Sequence, residues 1–384
     1  MAKYKIGWLP GDGVGNDVMA VARKVLDALG FDAEYIHGDI GWEIWRTEAN
    51  ALPDRTIEML KDVDAALFGA ITSKPKEEAE AELIPELQGK GHIYRSPIVR
   101  LRQEFNLRTN LRPCRAYTGN PLNYRDDLDL VVFRQNTEGL YIGVEWHPLP
   151  DAVRTVMKQT HPKQMERFEG VAGEDIAASV RIFTRKGCQE IVRDAFEYAK
   201  KFGYKTVTVV EKPNVIRETS GLMVREARKI AKDYPGIELW ETNIDAMCMW
   251  LVKNPQDYGV LVASNMFGDI ISDLCAQLVG GLGFACSGNI GDKVAIFEPS
   301  HGSAPKYVGM NKVNPIAMIL SAKMMLDYLG ETAMAGKLES AVAAVIAEGK
   351  VRTYDMKKLP GGPNSIAQGA SSTIEMTDAV IARL

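Results

Sequence analysis

Asp269 and Asp273 stand four residues apart in Asn265-Met-Phe-Gly-Asp-Ile-Ile-Ser-Asp-Leu274, directly after an apolar run. On a helix that spacing puts both carboxylates on one face. There they repel each other unless a cation neutralises them, and aspartate oxygens with water suit Mg2+ or Mn2+ better than zinc. The plain alternative is a solvated polar face, the usual meaning of an isolated D-x-x-x-D. The flanks favour the chemical reading, because Tyr258-Gly-Val-Leu-Val-Ala263 reads as a buried strand and Gly280-Gly-Leu-Gly283 as a tight loop. The carboxylates then open at a strand's C-terminal end, where α/β folds usually place ligands. Arg102, Arg112 and Arg134 bracket other strand-like segments. Taken singly each is a solvated surface arginine; together, their guanidinium forks can clamp the carboxylates of a di- or tricarboxylic acid.

The elements that must position these groups follow from periodicity. Tyr4 to Leu9 reads as a strand, then comes the turn Gly11-Asp-Gly-Val-Gly-Asn16, then a helix with apolar positions Val18, Val21, Ala22, Val25, Leu26 and Leu29. A glycine-rich strand-to-helix turn invites a dinucleotide site. Here Asn16 replaces the third glycine and no acidic residue closes a second strand at the expected distance. A tight turn that allows close packing is the simpler reading. Asp64 to Ile71, Leu128 to Phe133, Lys205 to Val210, Glu238 to Trp240 and Tyr258 to Ala263 read as further strands, with amphipathic helices ending near Gly203 and Asp233. The acidic run Glu77 to Glu82 reads as a solvated helix face. This alternation predicts an α/β fold, a mostly parallel sheet with helices on both faces. Residues 135–175, poorer in helix signals, are expected to form a β-rich excursion.

A chain of 384 residues with 46% hydrophobic and 25% charged residues has room for two domains and a large core. The net charge of −4 gives no nucleic-acid signal. No apolar run approaches the roughly 18 residues of a membrane span, and the N-terminus does not read as a signal peptide; a cytoplasmic protein is expected. The five cysteines are scattered without CxxC spacing and read as reduced core thiols.

Seven segments, taken in order, carry a resemblance over nearly the full length. They are Gly11-Asp-Gly-Val-Gly15, Leu111-Arg-Pro113, Phe133-Arg-Gln-Asn-Thr-Glu-Gly-Leu-Tyr141, Lys212-Pro-Asn214, Asn265 to Asp273, Ser287-Gly-Asn-Ile-Gly-Asp292 and His301-Gly-Ser-Ala-Pro-Lys-Tyr307. The chain resembles the β-decarboxylating dehydrogenases of isocitrate, isopropylmalate and homoisocitrate. The resemblance implies that family's fold, distinct from an ordinary Rossmann fold. It implies a discontinuous large domain (1–101 and 260–384) and a small domain (102–259) that carries the dimer interface, with a clasp at about 135–175. It also implies that Asp269 and Asp273 hold Mg2+ or Mn2+ together with Asp245 of a second subunit. Lys212, also from the second subunit, would be the base for the hydroxyl proton, and Tyr141 the acid that reprotonates the enol carbon. Free lysine and tyrosine titrate near 10, so the site must tune them. Ser96, Arg102, Arg112 and Arg134 would bind substrate. Thr72, Asn214, His301, Gly302, Ser303, Ala304, Lys306, Tyr307, Val313, Asn314, Tyr354 and Lys358 would bind the nicotinamide cofactor.

Two departures bear on specificity. Isocitrate members usually follow the loop serine with leucine and place an amide two residues on, whereas this chain has Pro97 and Ile98. Ser-Pro-Ile-Val resembles some homoisocitrate enzymes, and an apolar Ile98 is expected to pack against an extra methylene. In the cofactor segment an aspartate usually selects NAD+, whereas Lys306 and Tyr307 offer a charge and a hydroxyl to a 2′-phosphate. Lys358 replaces the usual arginine, and Asn254 stands where another is common. NADP+ is expected over NAD+, which stays open. The resemblance thus leads to an NADP- and metal-dependent isocitrate dehydrogenase acting as a homodimer. Homoisocitrate dehydrogenase comes second and isopropylmalate dehydrogenase third. A regulatory subunit of the same fold is the alternative outside catalysis.

Overall fold

The computed structural model describes residues 2–384. Its strands are β1 (Tyr4–Gly11), β2 (Ala33–His37), β3 (Ala65–Ala70), β4 (Thr109–Arg115), β5 (Asp129–Gln135), β6 (Glu145–Trp146), β7 (Ala178–Ser179), β8 (Thr206–Glu211), β9 (Glu238–Asn243), β10 (Val260–Ala263), β11 (Cys286–Ile290) and β12 (Ala295–Pro299). Ten of them form one sheet in the order β2-β1-β3-β12-β11-β4-β5-β10-β8-β9. Pairing is parallel except that β11 runs against β12 and β4, and β4 against β5. The mostly parallel sheet expected from the alternation is therefore present. Its central strands are apolar throughout because both faces are covered: all six residues of β3 and all four of β10 are buried.

The period of two sorts each strand between two layers. Leu130, Val132, Leu261 and Ala263 face the helices Ile244–Lys253 and Asn265–Leu278. Val131, Phe133, Val260 and Val262 face Arg185–Phe202 and Thr219–Ile230 on the other side. In the other half of the sheet, Ile6, Leu67 and Phe297 meet the helices Val14–Ala28, Ile316–Tyr328 and Thr332–Glu348. Leu9, Phe68 and Ile296 meet Leu60 and Leu101. β10 hydrogen-bonds between β5 and β8, and the helix after it shares their core cluster. Residues 260–278 consequently pack with the 102–259 half, and a boundary at 259/260 would cut through that cluster.

The excursion at 135–175 differs from the expectation. It is mainly helical, Asp151–Thr160 and Pro162–Glu166, and its only ladder is the two-residue pairing of β6 with β7. None of the residues of Asp151–Thr160 is buried, and Val156 is 58% exposed. That helix packs on the short helix Pro162–Glu166, and its apolar Val153 and Met157 are only partly covered, so it is not anchored in a core. The acidic run forms the helix Lys76–Ala81, of which Ala79 alone is buried. The five cysteines are free, four of them buried. No helix among the described residues is long and apolar enough to cross a membrane.

The turn after β1 proves to be a packing device. Gly13 has φ 59°, and a Cβ there would lie 2.1 Å from the Ser303 carbonyl oxygen. Its neighbour Asp12 accepts from the backbone N–H groups of Trp42 (2.7 Å) and Thr72 (2.9 Å). The turn ties the end of β3 to the 301–304 loop, a close approach of the kind expected of a tight glycine turn.

Candidate active site

At the C-terminal ends of β5 and β10, Arg134 and the helix Asn265–Leu278 come into direct contact. The approach depends on Gly268, where a Cβ would lie 2.8 Å from Arg134 Cβ. Asn265, Asp269 and Asp273 then form one stripe at four-residue spacing. Arg134 donates through Nε and Nη2 to Asn265 Oδ1 at 3.0 and 2.8 Å, and through Nη1 to Asp269. Arg112, one step across the antiparallel β4–β5 register, donates to Ser272 Oγ at 2.7 Å and Asp273 Oδ1 at 2.9 Å, and lies 3.5 Å from Asp269. Arg102, in the helix Pro97–Glu104, donates to Asn289 Oδ1 at 3.0 Å and pairs with Glu298 at 3.4 Å.

The three arginines, Arg102, Arg112 and Arg134, are 7%, 8% and 2% exposed. Burial pulls Arg134 below its ordinary range, to about 9, and the charges of Arg102 and Arg112 push the same way. Arg102 is lowered by burial first and by Arg112 next. Buried like charges of this kind favour a bound anion. The site's own carboxylates are more open: the Asp269 side chain is 33% exposed and that of Asp273 60%. Tyr141, in the short turn Leu140–Ile142, donates to Asp269 Oδ2 at 3.0 Å. Its phenol is raised by burial and by the Asp269 charge, so it is held as a proton donor.

A second group lies at the ends of β8 and β9. Lys212 Nζ donates to Asp245 Oδ1 at 2.5 Å, and this bond holds the Asp245 carboxyl below its ordinary range. Glu211, fully buried beside Lys212, accepts from Ser220 Oγ (2.5 Å), Ser264 N (2.9 Å) and Arg181 (3.1 Å). It thereby links the end of β8 to the start of the Asp269 helix. Among the described residues no three His, Cys, Asp or Glu side chains come together as a metal set. Asp245 is therefore not joined to Asp269 and Asp273 within one chain. Asn214, just beyond Lys212, is exposed.

The expected cofactor residues gather around the loop after β12. Thr72 Oγ1 and Ser303 Oγ are 2.6 Å apart, His301 Nδ1 lies 3.0 Å from the Gly302 carbonyl, and Ala304 is left-handed at φ 36°. Lys306 Nζ lies 4.9 Å from the Tyr307 ring centroid, and the Tyr307 and Tyr354 rings meet at 6.1 Å. Asn314 donates to Asp355 at 2.9 Å, and Val313 O accepts from Thr373 Oγ1 at 2.7 Å. Lys358 stands on a left-handed backbone, φ 55°. Ser96 is the N-cap residue of Pro97–Glu104 and makes no side-chain cap bond. Ile98 packs against the core cluster of Leu9, Leu52 and Leu101, so that core takes up part of the apolar surface expected to meet an extra methylene.

Several supporting residues were not singled out in the sequence. Asn289 Oδ1 faces Arg102, Asn110 and Asn136, and its Nδ2 donates to Glu298 at 2.7 Å. Asn265 was visible only as a stripe-mate of Asp269. Asn289 lies in the quoted segment Ser287 to Asp292 but nothing there gives it a role, and nothing in the sequence marks Glu298 or Glu211, because their partners are distant in the chain.

The sequence profile described as isocitrate/isopropylmalate dehydrogenase matches residues 5–380. The chain belongs to this family. It is 38% identical over 379 residues to protein DlpA of Legionella pneumophila, covering 98% of this chain and 58% of that protein. It is 40% identical over 351 residues to a 3-isopropylmalate dehydrogenase of Methanothermobacter thermautotrophicus, covering 91% and 93%. An isocitrate/homoisocitrate dehydrogenase of Thermus thermophilus is 36% identical over 382 residues, covering 99% and 98%. The solved isocitrate dehydrogenase of Methylococcus capsulatus superposes with a TM-score of 0.82 at 36% identity, over 99% of each chain. As a member of this isocitrate/isopropylmalate family the chain is a β-decarboxylating dehydrogenase fold, and the buried arginines and paired aspartates lie within the matched span.

Proposed function

We propose that this protein oxidises and decarboxylates isocitrate to 2-oxoglutarate and CO2 with NADP+ and Mg2+ or Mn2+, as a homodimer with shared sites. The observation that carries the reading is the cluster of three buried guanidiniums around the Asp269–Asp273 pair. Such a cluster suits a substrate with several carboxylates next to an oxygen-bound divalent cation. The donor set fits that cation: open, hard carboxylate oxygens one helical turn apart. Asp269 and Asp273, with Asp245 of the second subunit, would hold it, and it would supply Lewis-acid polarisation of the substrate's C2 oxygen and charge stabilisation as CO2 is lost.

The chain's own residues do the rest. Arg102, Arg112 and Arg134 bind and orient the carboxylates, and Ser96 addresses the third. Lys212 takes the C2 hydroxyl proton as hydride leaves, and Tyr141 returns a proton to the carbon that has lost CO2. Asp245 and Lys212 reach the site from the second subunit. Exposed Val215 (67%), Met249 (54%), Val252 (51%) and Ile270 (48%) beside both groups support an apolar dimer face. Lys306, Tyr307 and Tyr354 support NADP+ through its 2′-phosphate, with Thr72, Asn214, His301 to Ala304, Val313, Asn314 and Lys358 around the rest. In this reading the large domain resumes after Leu278, since 260–278 packs with the small one.

The second reading is homoisocitrate, favoured by Ser96-Pro-Ile-Val99, with isopropylmalate third. All three acids, each with NADP+ and NAD+ and Mn2+ present, should be compared by absorbance at 340 nm. The highest kcat/KM is expected for isocitrate with NADP+. A larger value for another acid replaces the substrate, and a larger value with NAD+ refutes the reading of Lys306 and Tyr307. No product from any acid points to the regulatory subunit.

A further inference from the structure

Lys312 is 1% exposed, a rare place for an ammonium group. Its Nζ donates to the carbonyl oxygens of Gly361 at 2.7 Å and Gly362 at 2.9 Å, both neutral acceptors. The same nitrogen lies 4.0 Å from the Tyr307 ring centroid and 5.7 Å from that of Tyr354. Gly361 packs against the phenol: a Cβ there would stand 2.3 Å from Tyr307 Oη. One side chain therefore joins three separate pieces of chain, those carrying Tyr307, Tyr354 and the Gly361-Gly362 turn. Lys306, by contrast, is solvent-exposed.

We propose that Lys312 is a positioning and specificity-determining residue for the adenosine 2′-phosphate. The inference rests on the NADP+ reading above and assigns the selectivity to a buried latch in addition to the exposed Lys306. Two effects combine. The ammonium fixes both tyrosines and the 361–362 turn in one arrangement, which lowers the ordering cost when phosphate binds. It also puts a positive charge, matched only by neutral carbonyls, behind the Tyr307 and Tyr354 rings, and in a water-poor setting that charge attracts a dianion.

Calorimetric binding of 2′,5′-ADP and 5′-AMP to the full chain separates this role from simple packing. Wild type is expected to prefer 2′,5′-ADP. Lys312→Met keeps the buried stem but removes the charge and both donors. It should weaken 2′,5′-ADP about tenfold and leave 5′-AMP within about twofold. Gly361→Ala keeps the Lys312 charge but displaces the Tyr307 hydroxyl beside the turn that Lys312 holds, should give the same selective loss, and carries the test if the methionine variant does not fold. Equal weakening of both ligands, or an undiminished preference for 2′,5′-ADP, overturns the latch while leaving the NADP+ reading standing. A wild type that does not prefer 2′,5′-ADP overturns both.

Discussion

The Asp269 cluster and the Lys212–Asp245 pair are built in opposite ways. In the first, guanidiniums from β4, β5 and the helix Pro97–Glu104 are buried, and each is shared between a carboxylate, Asp269, Asp273 or Glu298, and a neutral partner, Asn265, Ser272 or Asn289. In the second, one ion pair stands at the rim, with the Asp245 side chain 67% exposed. A buried charge is costly to leave unmatched, whereas an exposed pair is worth little. The difference teaches that the first group is fixed by burial before anything binds whereas the second rests on one exposed pair; in the proposed reading these are the carboxylate-binding half and the half contributed by the second subunit.

The sharpest way to break the comparison is Asp269→Asn. It should lower kcat/KM on the order of a thousandfold or more, with the thermal midpoint shifted by only a few degrees. Retained metal-dependent turnover would remove Asp269 from the site. Mixing is the next test. Asp269→Asn and Lys212→Met are each expected to be inactive, but mixed, refolded protomers should recover about a quarter of parental activity, because half the dimers carry one intact site. No recovery would place both groups in the same chain's site.

Arg134→Lys keeps the charge but loses the fork held by Asn265, and should raise KM for the acid by roughly a hundredfold with a smaller change in kcat. An unchanged KM would make Arg134 a core residue only. The smallest effect belongs to Asp245→Asn. The Asp245 carboxyl titrates below its unfolded value because of Lys212. The stability it contributes is therefore complete above about pH 5 and lost as pH falls through the lower folded pKa. The midpoint difference between variant and parent should be small, constant near neutral pH and absent in strong acid. A difference that persists there would mean that packing, not charge, is lost.

Much of this architecture is legible before folding. The apolar runs of β3, β8 and β10 announce buried parallel strands, and the four-residue spacing of Asp269 and Asp273 announces a shared face. The helix Asp151–Thr160 could have been read from Val153, Val156 and Met157, which recur at helical spacing, but none of its residues is buried and no core confirms it. The grouping of 260–278 with the preceding half was hidden, since only hydrogen bonding places β10 between β5 and β8.

What the sequence by itself determined is local: periodicity, turns, and which side chains can carry charge or hold a cation. Tertiary structure decided which of those charges are compensated. Arg102 meets Asn289 across 187 positions and Arg134 meets Asp269 across 135, and Lys312 reaches Gly361 across 49. No local pattern encodes such pairs, because they exist only once the sheet has set its strand order and the desolvated groups must find partners.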